Sequence, residues 1–266
     1  MSGAGLDLGD VLGTTARVVG KRFVSLLVIA AVCLAPSFVV GVVLALVGAG
    51  AQRMDPEQMQ RLAGNPGVLG GLVGGAVIVG VLSIVLNFVS QGAMLYTTIE
   101  HMAGRNPTIG ASLRVALDKL LPIVGASILV GLVVMGGTLL CVVPGVILAI
   151  MYYVAVPVVV AEGIHGVQAM RRSSELTQGN RWMIFFTLLI FIVIAFALGM
   201  AVGVAQMPFN MMVAEVPALA IVPLVIGFGQ NILQAMLGSV LVGVIYARLR
   251  GIRDGVDVQS LANVFA

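Results

Sequence analysis

Residues 120–161 read "LLPIVGASILVGLVVMGGTLLCVVPGVILAIMYYVAVPVVVA" and contain no charged side chain. As a helix these residues would extend roughly 63 Å, which is twice the thickness of a bilayer's hydrocarbon core. Pro144 and Gly145 divide the stretch, because proline disfavours helix at the preceding Val143 and glycine tolerates a turn. The stretch therefore predicts two membrane-spanning helices joined by a tight turn.

Other apolar runs of spanning length lie on both sides of this stretch. They cover residues 23–51, 67–99, 182–206 and about 218–246. Each is longer than the about 20 residues that a helix needs to cross a bilayer. Together with the two helices in 120–161, they predict an all-α integral membrane protein with six transmembrane helices.

The composition is that of a protein which faces lipid over much of its surface. Hydrophobic residues make up 60% of the chain and charged residues 9%, and the mean hydropathy is +1.13. Soluble domains carry about 25% charged residues. The net charge is +3, and only two of the basic residues are lysines, Lys21 and Lys119. The broad basic face of a nucleic-acid-binding protein is missing, so we expect no nucleic-acid partner.

The basic residues are distributed unevenly between the two sides of the predicted helices. One side has only Arg53 and Arg61, and the other has twelve basic residues: Arg17, Lys21, Arg22, Arg105, Arg114, Lys119, Arg171, Arg172, Arg181, Arg248, Arg250 and Arg253. Arginine and lysine accumulate on the cytoplasmic side of membrane proteins. The chain is therefore predicted to lie in a bacterial cytoplasmic (inner) membrane as a multi-pass protein with both termini cytoplasmic.

Three polar, amphipathic stretches precede predicted spans and resemble one another. They are "LGDVLGTTARVVGKRF" (8–23), "IGASLRVALDKLLPI" (109–123) and "VQAMRRSSELTQGNRW" (167–182). Each is too polar to span and has the pattern of a helix that lies in the membrane interface. The sequence thus predicts a single membrane domain built from three pseudo-repeated units, each an interfacial amphipathic helix followed by a two-helix hairpin.

The approximate bounds of these units follow from the repeated pattern. They are 5–104, 105–163 and 164–250, and residues 251–266 form a further C-terminal interfacial segment. Because consecutive units run in the same direction, we expect them to be related by an axis along the membrane normal, unlike the inverted repeats of many transporters.

Residues 144–182 carry a more specific pattern, in which a proline-glycine pair opens a span and a proline near its end is followed by Glu and Ala-x-x-Arg-Ser-x-x-Leu-Thr-x-Gly. Its members here are Pro144, Gly145, Pro157, Glu162, Ala169, Arg172, Ser173, Leu176, Thr177 and Gly179. The stretch resembles the glycerophosphoryl diester phosphodiesterase membrane domain family and related uncharacterised bacterial six-span membrane proteins. The resemblance implies a six-span fold whose membrane part has no established chemistry. The metal-binding acids and histidines of the soluble phosphodiesterase to which some relatives are fused are not found.

Charged residues at the ends of the spans are the first candidates for a binding site. Glu162 with Arg171 and Arg172 could bind a phosphate or lipid headgroup, and Glu100 with Arg105 repeats the arrangement. The alternative is that each acid pairs with a nearby arginine and fixes the junction between helices, since charges at the edge of a membrane need partners.

Amides within the apolar runs are the second candidates. They are Asn87, Gln91, Gln230, Asn231 and Gln234. These side chains could line a polar path, or they could form hydrogen bonds between helices. Five glycines between residues 70 and 80 have the spacing of closely packed helices, either within one chain or between subunits, which allows a homo- or hetero-oligomer.

No residue set with catalytic, cofactor-binding or metal-binding spacing is found. The only histidines are His101 and His165, and no HExxH motif or Cys/His cluster occurs. We therefore expect no enzyme activity, no cofactor and no metal. The favoured hypothesis is a non-catalytic module that interacts with membrane lipids, including anionic headgroups, or serves in anchoring or interaction. The alternative is a small transporter or lipid-handling carrier with a path between the helical units.

Overall fold

The computed structural model describes residues 6–51, 55, 57, 65–213 and 216–255, and this part of the chain is helical without strands. The longer helices are α1 (Leu8–Ala51), α2 (Pro66–Met102), α3 (Ile109–Asp118), α4 (Leu120–Leu140), α5 (Val142–Met151), α6 (Ala155–Glu162), α7 (Gly166–Thr177), α8 (Arg181–Met212) and α9 (Ile221–Asp254). A 3-10 turn, Pro217–Ala220, precedes α9. Arg53, Arg61 and residues 256–266 of the predicted C-terminal segment lie outside the described residues.

Six segments of the described chain are long and apolar enough to cross a membrane. They are Leu8–Leu44, Val77–Met102, Leu120–Leu140, Val142–Glu162, Arg181–Met212 and Ile221–Asp254. The predicted all-helical class and the number of candidate spans are therefore confirmed. Six long apolar helices are those of a multi-pass membrane protein.

The described residues form two compact units, one made of 6–30, 88–195 and 234–255, the other of 31–87 and 196–233. Of the six candidate spans, α9 has the largest buried share, and its fully buried side chains in the first unit include Met236, Leu241, Ile245, Tyr246 and Leu249. In the second unit, the rings of Phe38 and Phe228 lie 4.6 Å apart between centroids. The site described below lies mainly in the first unit.

All three predicted amphipathic segments are helical, the first as the beginning of α1 and the other two as the short helices α3 and α7. In the first segment, Arg22 has a non-helical backbone (φ −111°, ψ 16°), so the helix bends before its apolar part. In the second, α3 begins after Thr108, whose side chain accepts a hydrogen bond from the backbone N–H of Ala111, as a helix N-cap does. In the third, α7 buries one face and exposes Arg171. The relationship of these segments as a threefold repeat stays a prediction.

The turn in the quoted stretch lies at Cys141, three residues before the Pro144-Gly145 pair to which the sequence analysis assigned the break. Cys141 is extended (φ −171°, ψ 150°), and α5 already includes Val143. Pro144 is the third residue of α5, where the N–H that proline lacks has no helical partner to lose. Gly145 allows the close approach of α4 and α5, because a Cβ there would stand 2.8 Å from the Cα of Thr138.

The fourth candidate span, Val142–Glu162, is itself interrupted by a break that the sequence analysis did not predict. Residues 152–154 form a turn between α5 and α6. Pro157, the third residue of α6, cannot donate a backbone hydrogen bond to Tyr153, so a continuous helix would lose a bond at this point. The backbone N–H of Ala155 donates to Tyr152 (3.0 Å) rather than to Met151. The bend leaves the carbonyl oxygen of Met151 without its usual donor from the same helix.

Candidate functional site

Glu162 and Arg172 meet at the junction between α6 and α7. Gly163 ends α6 in a left-handed conformation (φ 69°), which glycine adopts without the steric cost of a side chain. The chain then turns back into α7, and the Nε of Arg172 lies 3.0 Å from the Oε2 of Glu162. Only 12% of the Glu162 side chain and 22% of the Arg172 side chain are exposed. The structure thus forms one of the two ion pairs that the sequence placed at span ends.

Three residues of α9 extend this ion pair into a larger group, which we call the Glu162 cluster. Its members are Glu162, Arg172, Tyr246, Arg250 and Asp254. The hydroxyl of Tyr246 donates to Oε1 of Glu162 (2.9 Å) and accepts from Nη1 of Arg250 (3.2 Å). Asp254 contacts both Arg172 and Arg250. The cluster therefore joins α6, α7 and α9 at one end of the first unit.

The charges of the Glu162 cluster balance, because two carboxylates face two guanidinium groups. Burial disfavours the charge of Arg172, but the hydrogen bond to Asp254 and the charge of Glu162 outweigh that effect and raise the pKa of Arg172. Both guanidinium groups are thus held in place by carboxylates of the same chain. Such a cluster is suited to fixing helices and poorly suited to binding an added anion.

Arg171 lies apart from the Glu162 cluster. Its side chain is 84% exposed and forms an ion pair with Glu175 one turn along α7 (3.2 Å). The structure therefore separates the two arginines that the sequence analysis grouped together. Neighbouring residues of a helix point about 100° apart, so only one of them can face the rest of the unit.

Glu100 and Arg105 form the second predicted pair, at the end of α2. Oε2 of Glu100 lies 3.7 Å from Nη1 of Arg105, and only 4% of the Glu100 side chain is exposed. Oε1 of Glu100 is buried without a hydrogen-bond partner in the described part of the chain. Arg22 supports the same junction by donating to the backbone oxygen of Arg105 (3.3 Å) and to Nδ1 of His101 (3.2 Å).

Two hydroxyl groups of α7 bind the carbonyl that the bend in the fourth span exposes. Ser173 donates to the oxygen of Met151 (2.9 Å), and Thr177 shares its proton between that oxygen (3.3 Å) and the oxygen of Ser174 (3.2 Å). Both side chains are buried. The sequence analysis did not identify this contact, although a Ser and a Thr spaced by four residues on an amphipathic helix were a usable signal.

Polar contacts also connect α3 and α4 to neighbouring helices. The hydroxyl oxygens of Thr97 on α2 and Ser112 on α3 lie 2.8 Å apart. The Nζ of Lys119, between α3 and α4, donates to the backbone oxygen of Val160 (2.6 Å). Burial lowers the pKa of Lys119, because it disfavours the charged ammonium group. These contacts join the short helices to the spans rather than presenting their polar groups to a ligand.

The predicted intramembrane amides differ in their exposure. The side chains of Asn87, Gln91, Asn231 and Gln234 are exposed, and Gln230 is half-buried. Asn231 donates to the backbone oxygen of Gly227 on its own helix (3.0 Å). Gln230 lies beside Gly199 of α8, where a Cβ would come within 3.2 Å of its Nε2.

An apolar cavity of about 610 Å³ opens between α5 and the first turns of α8. It is lined by Val142, Val143, Val146, Ile147, Ile150, Arg181, Trp182 and Phe185. Trp182, the only tryptophan, is 74% exposed. Arg181 donates weakly to the hydroxyl of Ser174 (3.4 Å), and its Nε is buried without a partner in the described residues. The sequence analysis placed Trp182 at a span end but did not predict the cavity.

The glycines that the sequence analysis assigned to close helix packing make no such contact within the described residues. A Cβ at Gly70, Gly71, Gly74, Gly75 or Gly80 would meet no atom of a neighbouring element within 4 Å. The described residues also hold no group of three or more His, Cys, Asp or Glu side chains that could bind a metal ion.

Comparison with known proteins adds no further identification. No family model matches the chain, and no solved structure matches it. The fold of the described residues defines a class: an all-helical protein with the six long apolar helices of a multi-pass membrane protein. The resemblance to the glycerophosphoryl diester phosphodiesterase membrane domain family stays a prediction.

Proposed function

We propose that the protein is a non-catalytic, multi-pass protein of a bacterial cytoplasmic membrane that binds lipids as an organising, anchoring or interaction module. The observation that carries this proposal is the apolar cavity between α5 and α8. Its walls are aliphatic and aromatic, and Arg181 and Trp182 are among its lining residues. This combination matches the two parts of a phospholipid, an acyl chain and an anionic headgroup.

Arg181 and Trp182 supply the groups that recognise a headgroup. Within the described residues the guanidinium of Arg181 makes one long hydrogen bond, from Nη2 to the hydroxyl of Ser174 (3.4 Å), and a phosphate oxygen is a stronger acceptor for a guanidinium group. Trp182 is exposed, and tryptophan favours the level of the headgroups because its ring is apolar and its N–H is polar. The volume of about 610 Å³ is ample for a segment of acyl chain.

The contacts and burial of the two acidic side chains at the span ends support the non-catalytic part of the proposal. Glu162 is engaged by Arg172, Arg250 and Tyr246, and Glu100 is paired with Arg105. A general acid or base needs access to a substrate, and only 12% of the Glu162 side chain and 4% of the Glu100 side chain are exposed. Arg171 keeps an exposed cation on α7 that can add attraction to an anionic surface.

The proposed organisation follows the sequence pattern. The three units consist of a short amphipathic helix and a hairpin, both termini are cytoplasmic, and the short helices lie at the inner face of the membrane. In support, α3 and α7 precede hairpins, and α1 bends at Arg22. Membership of the glycerophosphoryl diester phosphodiesterase membrane domain family, or of its six-span relatives, belongs to the same proposal.

The only tryptophan gives a direct test of lipid binding. Bromine on acyl chains quenches a nearby indole, so the protein is reconstituted in phosphatidylcholine containing a small fraction of brominated phosphatidylglycerol or, separately, brominated phosphatidylcholine. We expect stronger quenching of Trp182 by the anionic lipid. Arg181→Gln should make the two lipids quench equally, because the headgroup preference depends on the guanidinium.

Two further variants separate the cavity from general exposure to lipid. Val146→Phe fills part of the cavity and should reduce quenching by both lipids. Val193→Phe changes an exposed position of α8 outside the cavity lining and should leave quenching unchanged. Equal quenching of the wild-type protein by both lipids would contradict the proposal.

The exposed amides favour one alternative, a lipid-handling carrier. Asn87 and Gln91 lie one turn apart on α2, and both are exposed in an apolar segment. A carrier with a polar path should move fluorescent phosphatidylglycerol between the leaflets of a liposome. It should lose that transport, but still insert, when Gln91, Gln230, Asn231 and Gln234 are replaced by leucine. No transport by the wild-type protein would exclude this alternative.

A second copy of the chain is the partner that the glycines of α2 suggest. Gly70, Gly71, Gly74 and Gly75 are exposed, and small residues let two membrane helices approach closely. In this proposal the glycines form a contact between subunits, because they meet no neighbouring element within the described residues.

A further inference from the structure

A second cavity, of about 330 Å³, lies beside the first amphipathic segment. It is lined by Thr14, Arg17, Val18, Lys21, His101, Met102 and Arg248. These residues come from the start of α1, the last turn of α2 and the end of α9. All of them belong to the first compact unit. None of them is among the site residues predicted from the sequence.

The cavity carries a surplus of positive charge. Arg248 is paired with Asp10 (2.8 Å). Arg17 donates only to the backbone oxygen of Gly13 (3.3 Å) and the hydroxyl of Thr14 (3.1 Å). Within the described residues, no carboxylate lies within ion-pair distance of Arg17 or Lys21. Two cations of the lining are therefore not neutralised, whereas the arginines of the Glu162 cluster are.

Several donors in the lining are held in position by other contacts. Asp10 and Thr14 hold the guanidinium of Arg248. The Nε of Arg22 donates to Nδ1 of His101 (3.2 Å), so the neutral imidazole carries its proton on Nε2 and can donate from there. A cavity whose donors are already ordered loses less conformational entropy when an anion binds.

We propose that this cavity binds a phosphate group through Arg17, Lys21 and Arg248. A phosphate presents oxygens in several directions and accepts hydrogen bonds from guanidinium and ammonium groups together. The inference rests on the proposed function in naming a membrane lipid, such as phosphatidylglycerol, as the source of the phosphate. Free phosphate has the same chemistry and is distinguished by the experiment.

The test uses the full-length protein in an uncharged detergent at constant ionic strength. One arm titrates inorganic phosphate, and the other adds phosphatidylglycerol or phosphatidylcholine to the micelles; bound ligand is counted by native mass spectrometry, and affinity is measured from the thermal shift. Binding of phosphatidylglycerol without binding of inorganic phosphate supports the lipid as source. Binding of inorganic phosphate supports a site for free phosphate.

Variants that each remove one charge locate the site. Arg17→Gln and Lys21→Gln should each weaken binding about fivefold, the usual effect of one cation near an anionic group. Both side chains are exposed, so folding should be retained. Arg253→Gln is the matched control, because Arg253 is exposed near the end of α9 and donates only a long hydrogen bond to Gln178 (3.5 Å). It should bind like the wild-type protein.

Three results would overturn the inference. They are no binding of either ligand by the wild-type protein, unchanged affinity in Arg17→Gln and Lys21→Gln, and an equal loss in Arg253→Gln. The failure of the proposed function is distinguishable, because that function is measured at Trp182. A lipid preference at Trp182 with unchanged phosphate binding by the cavity variants refutes only this cavity.

Discussion

The carbonyl oxygen of Met151 illustrates how one proline affects a residue six positions before it. Pro157 interrupts the hydrogen bonds of the fourth span, and Ala155 then donates to Tyr152 rather than to Met151. An unpaired backbone oxygen in hydrocarbon costs several kcal/mol. Ser173 and Thr177 replace the missing donor, so a bent helix and an amphipathic helix depend on each other.

Loss of these hydroxyl groups should destabilise the protein. We expect Ser173→Ala to cost about 1–2 kcal/mol of unfolding free energy, because its hydroxyl is the shorter donor and the Met151 oxygen is left poorly paired. Thr177→Val should cost less, since its proton is shared with Ser174. Thermal unfolding in one detergent measures both.

A matched control is Thr187→Val. The hydroxyl of Thr187 donates to Met183 of its own helix (2.8 Å), where the carbonyl already lies in the helical ladder, so this variant should change stability little. If Ser173→Ala were no worse than Thr187→Val, the supporting role of α7 would be wrong.

The sequence contained part of the information on charged contacts. Glu162 and Arg172 are ten residues apart and flank a turn, so an ion pair between them could be expected from the chain alone. Tyr246, the third contact of Glu162, is 84 residues away, and no local pattern brings α9 to this junction. The separation of Arg171 from Arg172 required the orientation of α7, which depends on which face packs against its neighbours.

Among the elements, the α4–α5 hairpin depends on two glycines at its turn. Gly145 faces Thr138, and a Cβ at Gly137 would stand 3.3 Å from the Cα of Gly145. These small residues let the helices meet with a single extended residue, Cys141, between them. The sequence predicted a tight turn between the two helices. The turn lies before Pro144 rather than at it, because proline is accepted within the first turn of a helix.

Gly145→Ala should force the two helices apart. The added Cβ would stand 2.8 Å from a backbone atom that cannot rotate away, and overpacking of this kind costs about 1–3 kcal/mol. Gly131→Ala on α4 is the control, because a Cβ there meets no atom within 4 Å, and alanine favours helix. Equal melting temperatures for the two variants would show that the close approach is unimportant.

Element boundaries within the fourth span were harder to predict than its existence. Hydropathy alone cannot distinguish a straight helix from two helices of ten and eight residues in line. Pro157 was visible in the sequence, but proline also occurs in spans without a break where other groups pair the released carbonyl. The decisive information was the donor on α7, which is a tertiary contact.

For the whole molecule, the number of spans could be predicted from the composition and length of the apolar runs, because each run is long enough to cross a membrane and too apolar to face water. The basic cavity did not follow, since its lining joins residue 17 to residue 248 through three separate helices. Sequence patterns identify periodic faces; they do not identify which ends of distant helices meet.

Because the number of spans is even, both termini and the amphipathic helices α3 and α7 are predicted to lie on one side of the membrane. With the predicted cytoplasmic termini, green fluorescent protein fused after residue 106, 165 or 255 should fluoresce. Alkaline phosphatase fused at the same three positions should be inactive, because it requires the other side of the membrane. A fusion after residue 141 should give the opposite pair of signals. Any of the first three fusions with active phosphatase would disprove the proposed topology.

The bend at Met151 also sets an order of events during biosynthesis. Ribosomes deliver the chain from its N-terminus, so Met151 reaches the translocon before Ser173, which follows 22 residues later. Until that serine emerges, the carbonyl oxygen of Met151 lacks the donor that it has in the folded protein. A ribosome stalled before Ser173 thus holds a hairpin that is not yet complete, and a later segment of the nascent chain finishes an earlier one.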